Sequence, residues 1–222
     1  MQTQAGDDLI HRIRAHSHDG DVVGPAANDL LSELYDGYPV GNLAELLHSG
    51  DDVAVRTATW LLSELGELAA PMMDEVPALL AHPFAQVRFY AVEVVLVNGD
   101  ALHGSTIARV MSLSTDYDTG VRWQVLGFLA SATTDQLAAG AANLEPGPVK
   151  DLAEWLVRLD AEAPDPREVL ARLEGPDPTA RLFAAAAAGR LSDEDTGLLE
   201  HAVNAEDEEI RAFAERWLSG SD

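Results

Sequence analysis

The chain has 222 residues, 47% hydrophobic and 6% aromatic, long enough to bury a sizeable core and too apolar for disorder to be the default. Its 38 acids against 14 bases leave a formal charge of −24 and a pI near 4.3, which disfavours binding of nucleic acid or anionic lipid and favours basic partners. There are no cysteines, so disulfides and thiolate metal sites are excluded.

Lys150 is the one lysine, and the acids are spread along the chain; a generally acidic, lysine-poor source proteome would leave the same mark. The segment MQTQAGDDLI has no basic region followed by a long apolar core, and no apolar run approaches the roughly 18 residues of a spanning helix. The expected location is the cytoplasm.

In chain order, residues 1–6 read as a frayed tail and 7–17 as a short amphipathic helix carrying Leu9, Ile10 and Ile13. HDGDVVGP, 18–25, reads as a loop from its Gly, Asp and Pro content. Residues 26–36 place Leu30, Leu31, Leu34 and Tyr35 on one helical face. Gly37-Tyr38-Pro39 breaks that helix, and 40–48 forms a short one ending at Ser49-Gly50. The next stretch, DDVAVRTATWLLSELG at 51–66, sets a phrase that recurs.

Aligned on a small or β-branched residue followed by a base, the pairs are Val55–Arg56, Val87–Arg88, Val121–Arg122, Val149–Lys150, Ala180–Arg181 and Ile210–Arg211, the bases being 32, 34, 28, 31 and 30 residues apart. Three residues after the base come Thr59, Ala91, Val125, Ala153, Ala184 and Ala214; six after it come Leu62, Val94, Phe128, Leu156, Ala187 and Trp217. Positions −1, +3 and +6 share one face of a 3.6-residue helix and are the predicted core. A shorter helix precedes each of these, clearest at 43–48, 76–81, 107–112, 169–173 and 198–203; the one at 133–143 reads as eroded. In Pro176-Asp177-Pro178, Asp177 can cap a helix and Pro178 can take its first position. VEVVLV at 92–97 is the nearest approach to a strand, but its register with Arg88 and Ala91 puts it on a helix.

A period of about 31 residues with two helices per unit predicts an α-solenoid. The turn acid, Val-Arg, small residue and Leu-Gly of Asp52, Val55, Arg56, Thr59 and Leu65-Gly66 resemble the HEAT-repeat family over residues 40–218. The fold this implies is all-α, a right-handed α-α superhelix of about five to six helix pairs. Residues 1–39 would cap it and 40–222 would form one continuous solenoid. The resemblance implies that Asp52, Arg56, Arg88, Arg122, Arg181 and Arg211 hold the repeats in step, the bases tying to turn acids such as Asp52, Asp118 and Asp177.

His11, His16 and His18 lie near Asp19 and Asp21, but without HExxH or a comparable spacing, so no metal site is assigned. His48 and His82 each end a first helix, where the dipole favours them. No GxSxG or phosphate-binding loop is present, and neither an enzymatic activity nor a cofactor is expected. Opposite the predicted core, the second helices carry Trp60, Glu64, Phe89, Glu93, Trp123, Glu154 and Trp155, large aromatics interleaved with acids. The resemblance puts this face on the concave side, as a partner-binding surface; burial of the same residues by curvature is the competing expectation.

Over about residues 35–97 the sequence also resembles bacterial HEAT-like immunity proteins of polymorphic or contact-dependent toxin systems, through Tyr38-Pro39, Trp60, Ser63-Glu64-Leu65-Gly66 and Val87-Arg88-Phe89. The function this implies is non-catalytic: a protein, monomeric when free, that occludes a basic toxin or effector domain. A general scaffold or regulatory subunit is the alternative, and a lyase-type HEAT enzyme a more distant one.

Overall fold

In a computed structural model of the chain, which describes residues 4–161, 165–193 and 196–220, the protein is all-α. Fourteen α-helices and four short 3-10 turns occur among the described residues, and no strand. The chain divides between Asn98 and Gly99 into two compact units.

In the first unit, α1 (Gln4–Ala15) buries Leu9, Ile10 and Ile13 against α2 (Gly20–Tyr35). Helix therefore begins inside the expected frayed tail; residues 1–3 lie outside the described residues. The expected loop at 18–25 is helix from Gly20 onward. Asp19 caps α2, its side chain accepting from the Asp21 amide. Pro25 removes one intrahelical bond, but the helix carries through it because Val23, Ala26, Ala27 and Leu30 are buried on one side. Tyr38, 2% exposed, locks the linker after α2 onto α1: its hydroxyl donates to Asp7 Oδ1 at 2.6 Å, and its ring lies against Gly6, where a Cβ would collide with it.

A 3-10 turn and the single-turn α3 (Ala44–Leu47) lead to α4 (Asp52–Glu64), which packs on α2, α3 and α6 (Ala85–Asn98); α5 (Val76–Leu80) packs on α6. Asp51 caps α4, accepting from the Val53 and Ala54 amides at 2.8 and 3.2 Å. Gly66 ends the segment at φ +56°, a left-handed conformation that costs glycine little. VEVVLV lies within α6, as its register required.

The second unit contains α7 (Gly104–Ser112), α8 (Thr119–Ser131), α9 (Thr134–Asn143), α10 (Pro148–Ala161), α11 (Pro166–Leu173), α12 (Pro178–Arg190), α13 (Gly197–Ala202) and α14 (Glu208–Leu218). The first helix expected to be eroded at 133–143 is intact: Thr133 and Gln136 form a reciprocal capping box, and α9 packs closely on α7. Asp177 and Pro178 start α12 as predicted. This helix is the centre of the unit. Leu182 to Gly189 are all buried, and it touches α8, α10, α11, α13 and α14. Since α8 also packs on α14, the unit has contacts beyond the nearest-neighbour ones of a one-dimensional stack. The run of alanines permits this, because a helix without long side chains lets several neighbours approach.

The register accounts for the core in both units. All six +3 residues are at most 1% exposed, as are Leu62, Val94, Phe128, Leu156 and Ala187 at +6; Val149, Ala180 and Trp217 are half-buried. The bases have a task that spacing alone did not reveal. Arg88, Arg122, Lys150, Arg181 and Arg211 each donate to the carbonyl six residues earlier, of His82, Asp116, Leu144, Gly175 and Ala205, at 2.8–3.1 Å. Each base thus reaches back over its own turn to a carbonyl left unpaired where the preceding segment ends.

The expected acid partners are used otherwise. Asp118 and Asp177 cap α8 and α12, and Asp52 lies 3.5 Å from His82. The carboxylates that meet the bases come from further along the chain: Glu209 for Arg122, at 2.6 Å, and Asp207 for Arg181, at 2.6 and 3.0 Å.

Candidate binding groove in the first unit

Arg56 is the exception among the six bases. It donates to Gln86 Oε1 at 3.3 Å, makes no bond to the carbonyl of Gly50, and meets no carboxylate among the described residues. Its helix explains why it stands apart. Val53, Arg56, Thr57 and Trp60 follow at helical spacing along one side of α4 and face the start of α2, where Gly20 and Gly24 offer no side chains. With Tyr90 of α6 they enclose a groove of about 600 Å³, within the range of small-ligand sites.

Ser17 and His18 close one end, and both are anchored on the cap of α4. Ser17 Oγ donates to Asp51 Oδ2 at 2.6 Å, and His18 Nε2 lies 3.5 Å from the same oxygen. The Ser17 hydrogen bond, ahead of the two backbone amides, holds the Asp51 carboxyl below its ordinary range. The trio lacks the order of a nucleophile relay: the histidine does not stand between serine and acid, and a carboxylate of lowered basicity is a poor proton acceptor for a hydroxyl. It is a fastening between the α1–α2 linker and α4.

No acid among the described residues lines the groove. Its donors are open: neither the indole N–H of Trp60 nor the hydroxyl of Tyr90 reaches a protein acceptor among the described residues. The indoles of Trp155 and Trp217 do, at Glu168 and Ser192.

Comparison with protein-family models, curated proteins and solved structures gives no match to this chain.

The seven residues expected on one partner-binding face occupy different environments. Trp60 is half-buried in the groove wall, and Glu64 one turn on is exposed, its carbonyl accepting from the Tyr35 hydroxyl at 2.5 Å. Phe89 and Glu93 are half-buried on α6; Phe89 meets the Tyr90 ring edge-on at 5.4 Å.

In the second unit, Trp123 is half-buried beneath the Arg216 guanidinium, 5.3 Å from its ring centroid. Glu154 is exposed and lines a groove of about 650 Å³ with Ala138, Asp151 and Arg158. Trp155 is only 3% exposed: its indole donates to Glu168 at 3.0 Å and Arg172 stacks on it at 4.2 Å. Leu61, Val92 and Leu126, on the same helices as these residues and outside the −1, +3 and +6 positions, are fully buried as well. The second helices are covered on more than one side, which a single apolar stripe does not anticipate.

Reading 18–25 as a loop hid the groove. A signal was present: Asp19 as cap, then Gly20, Gly24 and Asn28 at i, i+4 and i+8 on one helical face. Among the described residues no three His, Asp or Glu side chains are grouped to hold a metal ion, and no helix is long and apolar enough to cross a membrane.

Proposed function

We propose that this protein is a non-catalytic protein-binding module of HEAT-like helix pairs, arranged as a right-handed α-α superhelix, and that it serves as an immunity protein against a basic toxin or effector domain. One observation carries the reading: partly exposed Trp60 and Phe89 alternate with Glu64 and Glu93 on α4 and α6, in a chain of net charge −24. Aromatic anchors ringed by charge are the composition of binding hot spots, and acidic side chains accelerate encounter with a basic surface. On this reading inhibition is occlusion without turnover or cofactor, by a protein that is monomeric when free and works in the cytoplasm.

The test is association with the protein encoded by the adjacent reading frame, followed by biolayer interferometry. Raising salt from low to physiological strength slows association steeply, and Glu64→Lys with Glu93→Lys slows it further. Trp60→Ala acts on dissociation and costs about 2 kcal/mol. Affinity unchanged by both variants, with the helical fold intact by circular dichroism, removes the reading; salt-independent binding favours a scaffold with incidental acidity.

A further inference from the structure

About one residue in six of this chain is acidic, yet the groove between α2 and α4 has no carboxylate among its described lining residues and contains a cation, Arg56, without an ionic partner among the described residues. Asp51, the acid that the lining residues Ser17 and His18 contact, is already occupied by them and by two backbone amides. Arg56 has only the long bond to Gln86, leaving most of its guanidinium donors unused. Trp60 and Tyr90 add an indole N–H and a hydroxyl, both unused within the described residues, on flat apolar rings. Opposite them Gly20 and Gly24 leave open space, with nothing within 4 Å of where either Cβ would stand.

We infer that this groove binds an aromatic carboxylate, its anionic end on Arg56 and its ring between the glycine face of α2 and the aromatic pair Trp60 and Tyr90. A guanidinium matches a carboxylate through two parallel charge-assisted hydrogen bonds. Ring contacts supply the apolar part of the affinity. The volume suits a bicyclic acid or a chain end with an aromatic last residue, and a bare inorganic anion would leave it largely unfilled. This binding needs no protein partner, so it stands or falls apart from the immunity reading.

Isothermal titration of the full-length protein tests it with 2-naphthoate, its amide 2-naphthamide, and a tripeptide ending in Phe with a free or an amidated C-terminus. The acids bind and their amides bind at least roughly tenfold more weakly. Arg56→Met weakens the acids by a similar factor, and Arg56→Lys by less. Gly20→Leu, which fills the groove from the first position of α2 with nothing within 4 Å of the added Cβ, abolishes binding while the melting temperature is kept. Tighter binding of naphthoate than of the free peptide assigns a small acid as the source, and the reverse assigns a chain end. Equal binding of acid and amide, binding that survives Gly20→Leu, or no heat at about 10 mM ligand overturns the assignment.

Discussion

Tyr38 shows how much one side chain can couple. Burial first, and then its hydrogen bond to Asp7, push the phenol from 10.0 up to about 12. Because the folded-state value lies above the unfolded one, the stabilisation is complete below pH 10 and lost as pH rises towards 12. The loss amounts to about 2–3 kcal/mol. Urea titrations at pH 7 and pH 11 should show about half of that difference in the wild type, since pH 11 lies midway between the two values. In Tyr38→Phe the alkaline part largely disappears, while stability at pH 7 falls by about 1–2 kcal/mol with the Asp7 bond. An unchanged alkaline loss in Tyr38→Phe would place its origin elsewhere. Arg190 works on a similar scale and went unnoticed in the sequence, being outside the repeated register. It pairs with Asp160 and donates to the carbonyls of Leu129, Ala130 and Ala132. Its partners lie 30 to 61 residues away, and no local spacing rule connects them.

At the scale of the element, the same substitution should have opposite effects on α8 and α12. Both Gly127 and Gly189 are inside helices, where alanine is worth up to about 1 kcal/mol over glycine. A Cβ at Gly127 meets nothing within 4 Å, so Gly127→Ala should gain most of that amount. At Gly189 a Cβ would stand 2.9 Å from Phe213 Cζ and 3.3 Å from Ala130 Cβ, and Phe213 is itself held by Trp217 at 5.0 Å. Overpacking of about 1–3 kcal/mol outweighs the propensity there, so Gly189→Ala should lose stability. Denaturant melts of the two variants check both signs, and a gain at Gly189 would mean that α14 yields more easily than its contacts suggest. The alanine run of α12 was legible as an unusually small-residue helix. That it sits at the centre of its unit was not, because small side chains permit close approach without specifying which helix approaches.

For the whole molecule the excess of 24 negative charges works against compaction through self-repulsion. Ion pairs such as Arg122–Glu209 and Arg181–Asp207 are weakened by salt, but 14 bases can pair with only a minority of 38 acids. The melting temperature should therefore rise by several degrees between about 10 and 300 mM sodium chloride as the Debye length shrinks. A flat or falling curve would mean that the pairs dominate. The charge also shows how a total can mislead locally: the overall acidity pointed to a basic partner, while the groove beside Trp60 has no acid among its described lining residues.

The helical class, the six-fold register, the burial of its +3 positions and the cap at Asp177 were determined by the sequence alone, since each depends on neighbours within about four residues. Tertiary structure decided the rest. It buried Trp155 and left Glu154 exposed, though the two are adjacent and had been assigned to one face. It turned the bases towards carbonyls six residues back and, for Arg122, towards an acid 87 residues away. It also left Arg56 out of that pattern, beside two glycines of α2. Helical periodicity says which residues share a side; which sides are covered depends on helices distant in the chain, and that is a property of the packing.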